Sequence, residues 1–298
     1  MKGHPVVNLL GDGGGARKIG PGRLIALAEV MAPFEYATAF AGRRLLPRLP
    51  RGDRTVLVLP GFLATDANVW TLRRELRKLG HWVSGWGEGF NLGPSQRVVD
   101  SVLERLVALA DERQAKVDLV GWSLGGVYAR YLAYNRPDLV SSVITMGSPI
   151  HPVGERRGAV SKIFDRVAHV DADLGDFDPT MRLKVPVTSI WTRTDGVVDW
   201  KAAATRPGPR TENIEVPGTH IGLPVNPFVL HVVADRLGQS DGEWAPYRRQ
   251  PNLQLPIMRM FADADEAAAS VWDDLDDLED EPDDYVSPLL GLPDAATS

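Results

Sequence analysis

The chain has 298 residues, of which 24% are charged, and its formal net charge at pH 7 is −6. This length is sufficient for a full hydrophobic core and predicts one domain with appendages rather than two domains. The absence of cysteine excludes disulfides, thiol nucleophiles and thiolate metal sites, and it is consistent with a cytoplasmic location. No stretch approaches the roughly 18 uninterrupted apolar residues of a membrane-spanning helix, and the first residues lack the apolar segment of a signal peptide.

The acidic charge is concentrated at the C-terminal end. After residue 260 the sequence has 13 acidic residues and no basic one. The preceding residues hold all 33 basic residues but only 26 of the 39 acidic ones, so their net charge is +7. The basic residues are scattered and form no recognition motif, so nucleic acid is not an expected partner.

The first 50 residues differ in character from the middle of the chain. Residues 1–20 are rich in glycine and are predicted to be flexible. Residues 21–50 predict a helical arm, because 22–46 contains two apolar helical patterns separated at Pro33. Two interpretations remain open for this arm: peripheral contact with a lipid surface through 22–46, or packing on the core of the protein.

Two predicted strands precede the most informative motif. The apolar run at 54–59 predicts a strand and leads into Pro60-Gly61-Phe62-Leu63, where the glycine permits a sharp turn of the backbone. Residues 81–84 predict a second strand, followed by a glycine-rich loop at 85–94. That loop lacks the spacing and the immediate helix of a dinucleotide-binding fingerprint.

The motif itself is Gly121-Trp122-Ser123-Leu124-Gly125, between a predicted strand and a predicted helix. A serine on a sharp strand-to-helix turn has its hydroxyl exposed above the sheet, and the close approach of backbones requires small residues on either side. The alternative is a glycine-rich turn with a capping serine. The strand before the motif and the helix after it favour a nucleophilic Ser123.

A nucleophilic serine needs a histidine as base and a carboxylate that orients the histidine. The apolar strand predicted at 185–191 ends just before Asp195, and Asp199 follows four residues later. We prefer Asp195 as the acid, because Asp199 also suits the N-cap of the next helix. A short predicted strand at 214–216 leads into a loop with His220, which is the expected base.

The other histidines fit less well. The expected chain order is serine, acid, histidine, and this order excludes the histidines that come before the candidate acid. The remaining one, His231, lies in a helical apolar pattern and is expected to be a packed helix residue. The excluded residues are His4, His81, His151 and His169.

Four segments together resemble the α/β-hydrolase lipases and esterases, most closely the small bacterial lipase-like enzymes. They are Leu59-Pro60-Gly61-Phe62, 121–126, 194–198 and 218–223, and the resemblance covers residues 51–247. It implies an α/β fold with a mostly parallel central sheet flanked by helices, and a small cap within 151–184. Many family members have histidine where this chain has Pro60, and Trp122 replaces a histidine often found before the serine.

The resemblance also implies roles for individual residues. Ser123, Asp195 and His220 would form the catalytic triad, and the backbone amides of Phe62 and Leu124 would form the oxyanion hole. Substrate-binding side chains are expected on the 85–94 loop and beside the nucleophile. These candidates are Trp86, Phe90, Asn91 and Trp122.

Residues 248–298 are predicted to form a disordered acidic tail, because acidic residues dominate 263–284. Trp272, Leu275 and Leu278 recur at helical spacing among these acids. A solubilising tail is the preferred interpretation, and the alternatives are docking to a protein partner or folding back onto the basic part of the chain.

The sequence therefore predicts a cytoplasmic α/β hydrolase, in peripheral contact with membranes if the arm binds lipid. It would cleave carboxylic esters, with a small-molecule or lipid ester as substrate and no metal or organic cofactor. The alternatives are an acyltransferase or thioesterase that uses the same triad, and a non-catalytic binding module with the hydrolase fold.

Overall fold

The structure is a computed structural model that describes residues 49–151, 172, 174–240, 242–247 and 264–279. The flexible N-terminal segment 1–20, nearly all of the predicted arm and most of the predicted cap lie outside the described residues. The same holds for 248–263 and 280–298, which belong to the predicted tail.

Six strands and six α-helices are found in the described part of the chain. In order they are β1 Thr55–Leu59, α1 Trp70–Lys78, β2 Trp82–Gly85, α2 Gln96–Arg113, β3 Val117–Trp122, α3 Leu124–Asn135, β4 Val140–Met146, β5 Val187–Trp191, α4 Trp200–Ala203, β6 Thr211–Glu215, α5 Pro227–Leu237 and α6 Ala264–Glu279. A 3₁₀ turn at Leu223–Val225 precedes α5. Each strand predicted from the sequence is present, with its bounds shifted by a few residues.

The strands form one sheet in the order β2-β1-β3-β4-β5-β6, and every neighbouring pair is parallel. In the central register Leu57 of β1 lies opposite Leu119 of β3. Parallel strands need crossover connections, and described helices lie in those between β1 and β2, β2 and β3, β3 and β4, and β5 and β6. The predicted fold, a parallel sheet flanked by helices, is confirmed.

The core lies on both faces of this sheet. Alternate residues of β1 point to opposite faces: Leu57 and Leu59 belong to one buried cluster, Val56 and Val58 to another. Helices α2 and α3 cover the first face, and α1 and α5 cover the second. Burial on both faces explains why β1 and β3 are apolar along nearly their whole length.

The parallel arrangement determines where a site can form. The carboxyl ends of all six strands meet at one edge, so the loops after β1, β3, β5 and β6 lie together there. Open α/β sheets bind their ligands at this edge. It is the edge that has the predicted oxyanion loop, Ser123, Asp195 and His220.

The structure differs from the predicted disordered tail at α6. Ala264, Ala268, Val271 and Trp272 are buried, and their spacing gives the helix one apolar stripe. This stripe packs beside β6, the last strand of the sheet. Residues 264–279 thus form a helix where disorder is predicted, because their apolar residues recur at helical spacing among the acidic ones.

Candidate active site

Ser123 lies between β3 and α3 in a strained backbone conformation, with φ 53° and ψ −127°. Its amide donates to the Met146 carbonyl at 2.9 Å, which fixes the turn to β4. A side chain on Gly121 would come within 2.3 Å of the Gly125 carbonyl oxygen, and one on Gly125 within 2.2 Å of the Leu59 carbonyl oxygen. The glycines predicted to flank a nucleophile elbow are therefore required by contact between backbones.

Leu124 is the first residue of α3 and directly follows Ser123. The first amide groups of a helix have no acceptor within the helix, and the helix dipole places partial positive charge at this end. An anion forming next to the Ser123 hydroxyl would meet that end of α3. The role of the Leu124 amide as an oxyanion donor stays a prediction.

Asp195 and His220 are in direct contact. His220 Nδ1 lies 2.7 Å from Asp195 Oδ2, and both side chains are at most 4% exposed. The other carboxylate oxygen of Asp195 accepts from the amides of Val197 and Val198 at 2.8 and 2.7 Å. The Asp195 carboxylate thus has three hydrogen-bond donors: the His220 imidazole and two backbone amides. The two amides fix the carboxylate against the imidazole.

Asp199, the alternative acid, has a different partner. Its carboxylate accepts from the Lys201 amide at 3.0 Å and caps the N-terminus of α4. This is the capping role considered for it from the sequence. Of the two aspartates, only Asp195 has a described contact with His220.

Side-chain hydrogen bonds to two of its backbone carbonyl groups hold the loop that carries His220 in place. Thr192 and Thr194, next to the acid, donate hydroxyl hydrogen bonds to the Gly218 carbonyl at 3.0 and 2.5 Å. Asn226 donates to the Pro217 carbonyl at 2.6 Å and caps α5 with its side-chain oxygen. Asp195 and His220, the candidate acid and base, therefore lie on two loops that side-chain hydrogen bonds join.

Gly147, directly after β4, lies against the Asp195–His220 pair. Its φ is +56°, and a side chain there would come within 3.1 Å of both Asp195 Oδ2 and His220 Nδ1. Any larger residue would be strained and would press on the two atoms that share the hydrogen bond. The sequence analysis missed Gly147, whose only signal was a glycine at the end of a predicted strand.

The predicted oxyanion loop forms a tight turn. The Ala64 amide donates to the Gly61 carbonyl at 3.1 Å, and Leu63 between them has a positive φ of 57°. A side chain on Gly61 would come within 2.9 Å of Ser123 Cβ, so this turn passes directly beside the candidate nucleophile. Phe62, whose amide was predicted as an oxyanion donor, is the residue between Gly61 and Leu63.

Asn91 holds that turn in place. Its side chain is fully buried and donates to the Pro60 carbonyl at 2.8 Å. Its backbone forms hydrogen bonds with the second half of the turn, accepting from Leu63 at 2.7 Å and donating to Ala64 at 2.9 Å. The contact that the structure gives Asn91 is thus with the predicted oxyanion loop.

The other predicted substrate-binding residues have separate positions. Trp86 is 1% exposed, packs in the core and donates from its indole to the Gly89 carbonyl at 3.0 Å. Trp122 is also buried, and its indole donates to the His220 carbonyl at 3.0 Å. Phe90 is 67% exposed on the loop. Trp86 and Trp122 are therefore packed, and of these two Trp122 contacts the loop that carries His220.

Two further properties of the described residues bear on the site. A cavity of about 430 Å³ lies at the amino-terminal edge of the sheet, beside Arg54 and Arg210. A second cavity of about 600 Å³ lies next to β2. Ser123 lines neither cavity.

Among the described helices, none combines the length and the apolar character that crossing a bilayer requires.

Comparison with known protein families matches residues 97–175, from α2 past the elbow to the segment after β4, to the family described as alpha/beta hydrolase fold. No curated protein sequence matches the chain. Among solved structures, the chain is similar to lipase B of Aspergillus fumigatus, with 16% identity and a TM-score of 0.50. This similarity covers 74% of this chain and 61% of that one.

Two more distant similarities are to a metagenome-derived lipolytic enzyme described in a study of LipS and LipT, and to Est1E from Butyrivibrio proteoclasticus. The first has 12% identity over 63% of this chain and 94% of the other, with a TM-score of 0.44. The second has 14% identity over 63% and 87%, with a TM-score of 0.41. The parallel sheet and the elbow between β3 and α3 have the architecture of the α/β-hydrolase fold, and the matched segment 97–175 is similar to that family.

Proposed function

We propose that this protein is a serine hydrolase that cleaves carboxylic esters through an acyl-enzyme on Ser123. The single observation that carries the proposal is the 2.7 Å contact between His220 Nδ1 and Asp195 Oδ2, on loops beside a serine in a strained elbow. An imidazole fixed in this way has Nδ1 protonated and Nε2 available as a base.

In the proposed reaction, His220 Nε2 takes the Ser123 hydroxyl proton as Oγ attacks the ester carbonyl. The carbonyl oxygen becomes an oxyanion, stabilised by the amides of Phe62 and Leu124. The C–O bond to the alcohol then breaks, and the alcohol leaves with the proton from His220. A water molecule, deprotonated by His220, releases the carboxylic acid and restores Ser123.

Several contacts support a rigid arrangement for this chemistry. The amides of Val197 and Val198 hold Asp195, and the Trp122 indole holds the backbone of His220. Catalytic groups that need no rearrangement during the reaction give the largest electrostatic stabilisation of the transition state. The substrate-binding role of Phe90, on the exposed loop after β2, remains part of this proposal.

The test is labelling with a fluorophosphonate probe, which reacts with activated serines. Wild type is compared with Ser123→Ala and His220→Ala, and Asp199→Asn serves as a control that leaves the proposed triad intact. Loss of labelling in the first two variants alone is the expected result. The same proteins are then assayed on p-nitrophenyl esters of increasing acyl chain length.

Each alternative has its own outcome in this design. A folded wild-type protein that neither labels nor turns over any ester would contradict the proposal and favour the binding module. Labelling with slow hydrolysis that accelerates when alcohols are added would indicate an acyltransferase. Faster turnover of coenzyme A thioesters than of oxygen esters would indicate a thioesterase.

A further inference from the structure

Helix α6 is joined to the edge of the sheet by hydrogen bonds. Asp265 Oδ1 accepts from the backbone amide of Asn213, in the middle of β6, at 2.8 Å. The Asn213 side chain in turn accepts from the Thr205 amide at 2.8 Å and donates to the Thr205 carbonyl at 2.9 Å. The helix therefore reaches, through Asn213, the segment that follows α4.

Trp272 contacts the same segment directly. Its indole nitrogen donates to the Ala204 carbonyl at 3.3 Å, and the Arg206 guanidinium lies 4.7 Å from the centre of its ring. The His151 ring, on the chain after β4, packs 4.8 Å away. Three consecutive residues, 204–206, are thus held by α6, directly or through Asn213.

These residues end the segment that begins with the acid, here named the acid loop and defined as residues 194–206. Val197 and Val198, whose amides bind Asp195, belong to one packed cluster with Ala264 and Ala267 of α6. Without the helix, the apolar side of the acid loop would face water. The position of the two amide donors consequently depends on the packing of α6.

We infer that α6 is a positioning element for the proposed active site, and that Trp272 is its principal positioning residue. The helix keeps the acid loop at the distance from which Asp195 meets His220. This inference rests on the proposed function for its kinetic readout. Its structural readout, the hydrogen bond between Asp195 and His220, can be measured without any substrate.

The expected effect follows from the geometry. Catalytic groups lose about 100-fold in rate for a misplacement of about 1 Å. Removing the Trp272 side chain deletes a hydrogen bond and a large packed surface beside 204–206, while every proposed catalytic side chain keeps its chemical identity. We therefore expect kcat to fall about 10- to 100-fold with little change in KM.

The experiment compares Trp272→Ala with Trp272→Phe, which retains an aromatic ring but loses the indole donor. Glu266→Ala, on the exposed side of α6, is the matched control on the same helix. Leu106→Ala, in the buried core under α2, is the control for stability alone, because it creates a cavity away from the acid loop. All variants are made in the full chain.

Two quantities are measured for each variant: kcat and KM on an ester, and the low-field proton NMR signal of the His220 Nδ1–H. The inference predicts a lower kcat and a broadened or lost signal in Trp272→Ala, with partial recovery in Trp272→Phe. The Glu266→Ala and Leu106→Ala proteins should retain the signal and the kcat of wild type.

Two outcomes would overturn the inference. One is an unchanged NMR signal and kcat in Trp272→Ala. The other is an equal loss in Leu106→Ala at a similar melting temperature, which would mean that general destabilisation causes the effect. If wild type turns over no ester, the proposed function fails, but the NMR comparison still tests whether α6 positions Asp195 against His220.

Discussion

Two buried aspartates lie at opposite edges of the same sheet, and they are held in different ways. Asp195, at the carboxyl edge, is bound by one imidazole nitrogen and two backbone amides, all within 2.8 Å. Asp118, near the amino end of β3, accepts from the Ser142 hydroxyl at 2.6 Å, while Arg54 Nε is 3.5 Å away. Both side chains are almost inaccessible to solvent.

The two carboxylates differ in how many hydrogen-bond donors surround them and in how those donors are held. Burial raises the pKa of Asp118 to about 6, and Arg54 and the Ser142 and Ser141 hydroxyls lower it only in part. Asp195 instead has donors whose positions the turn after β5 fixes. The comparison teaches that burial alone does not make a carboxylate useful for catalysis, because the arrangement of donors around it decides what it can do.

The largest expected effect separates Asp195, in contact with His220, from Asp118. Asp195→Asn should lower kcat by about 10⁴-fold, because an amide at this position favours the wrong imidazole tautomer. Ester turnover by purified, folded variants is the measurement. Asp118→Asn, at the opposite edge, should keep a kcat within about twofold of wild type.

Asp199→Asn is the nearer control for this prediction. Asparagine is as good an N-cap as aspartate, so both the fold and kcat should be retained. A large loss of turnover in Asp199→Asn, with Asp195→Asn nearly unaffected, would reverse the proposed assignment of the acid.

Part of the candidate site could be predicted from the sequence, and part could not. Ser123 and His220 stood out because a strand, a turn and a particular residue type coincided within a few positions. Asp195 and Asp199 stayed unresolved, because both follow the same strand and both precede amides that a carboxylate can bind. Only the fold shows which of them faces the histidine loop.

The contacts that sequence reasoning could not supply share a physical cause. Trp86 and Asn91, which are predicted to bind substrate, are both buried and donate to backbone carbonyls. The bridges from Thr192 and Thr194 to Gly218 join residues 26 and 24 positions apart. Such contacts depend on tertiary distance, and local composition or periodicity does not encode them.

A second prediction concerns the pH dependence of stability that the buried Asp118 causes. Between about pH 4 and pH 6 the folded protein binds more protons at Asp118 than the unfolded chain does, so this group makes stability fall as pH rises. Above about pH 6 the Asp118 carboxylate is charged in the folded protein, and its burial lowers the free energy of unfolding by up to about 3 kcal/mol. Asp118→Asn removes this dependence.

The measurement is the free energy of unfolding in denaturant, for wild type and Asp118→Asn, from about pH 4 to about pH 8. The stability of the variant relative to wild type should rise across the window and stay constant above it. A difference that is constant at every pH would mean that Asp118 has an ordinary pKa in the folded protein, and the prediction would be wrong.

The smallest expected effect concerns the hydroxyl that binds Asp118. Ser142 lies opposite Asp118 in the register of β3 and β4, so Ser142→Ala removes the 2.6 Å hydrogen bond without moving either strand. A hydrogen bond to a charged group is worth about 1 kcal/mol more than one to a neutral group, so the loss should be larger at pH 7 than at about pH 4. The midpoint of the pH dependence of the free energy of unfolding should also move above its wild-type position.

An Asp118→Ala background provides the check, since there the pH-dependent part of the Ser142→Ala effect should vanish. If it persists, another titrating group is responsible, and Ser142 does not act through the buried carboxylate.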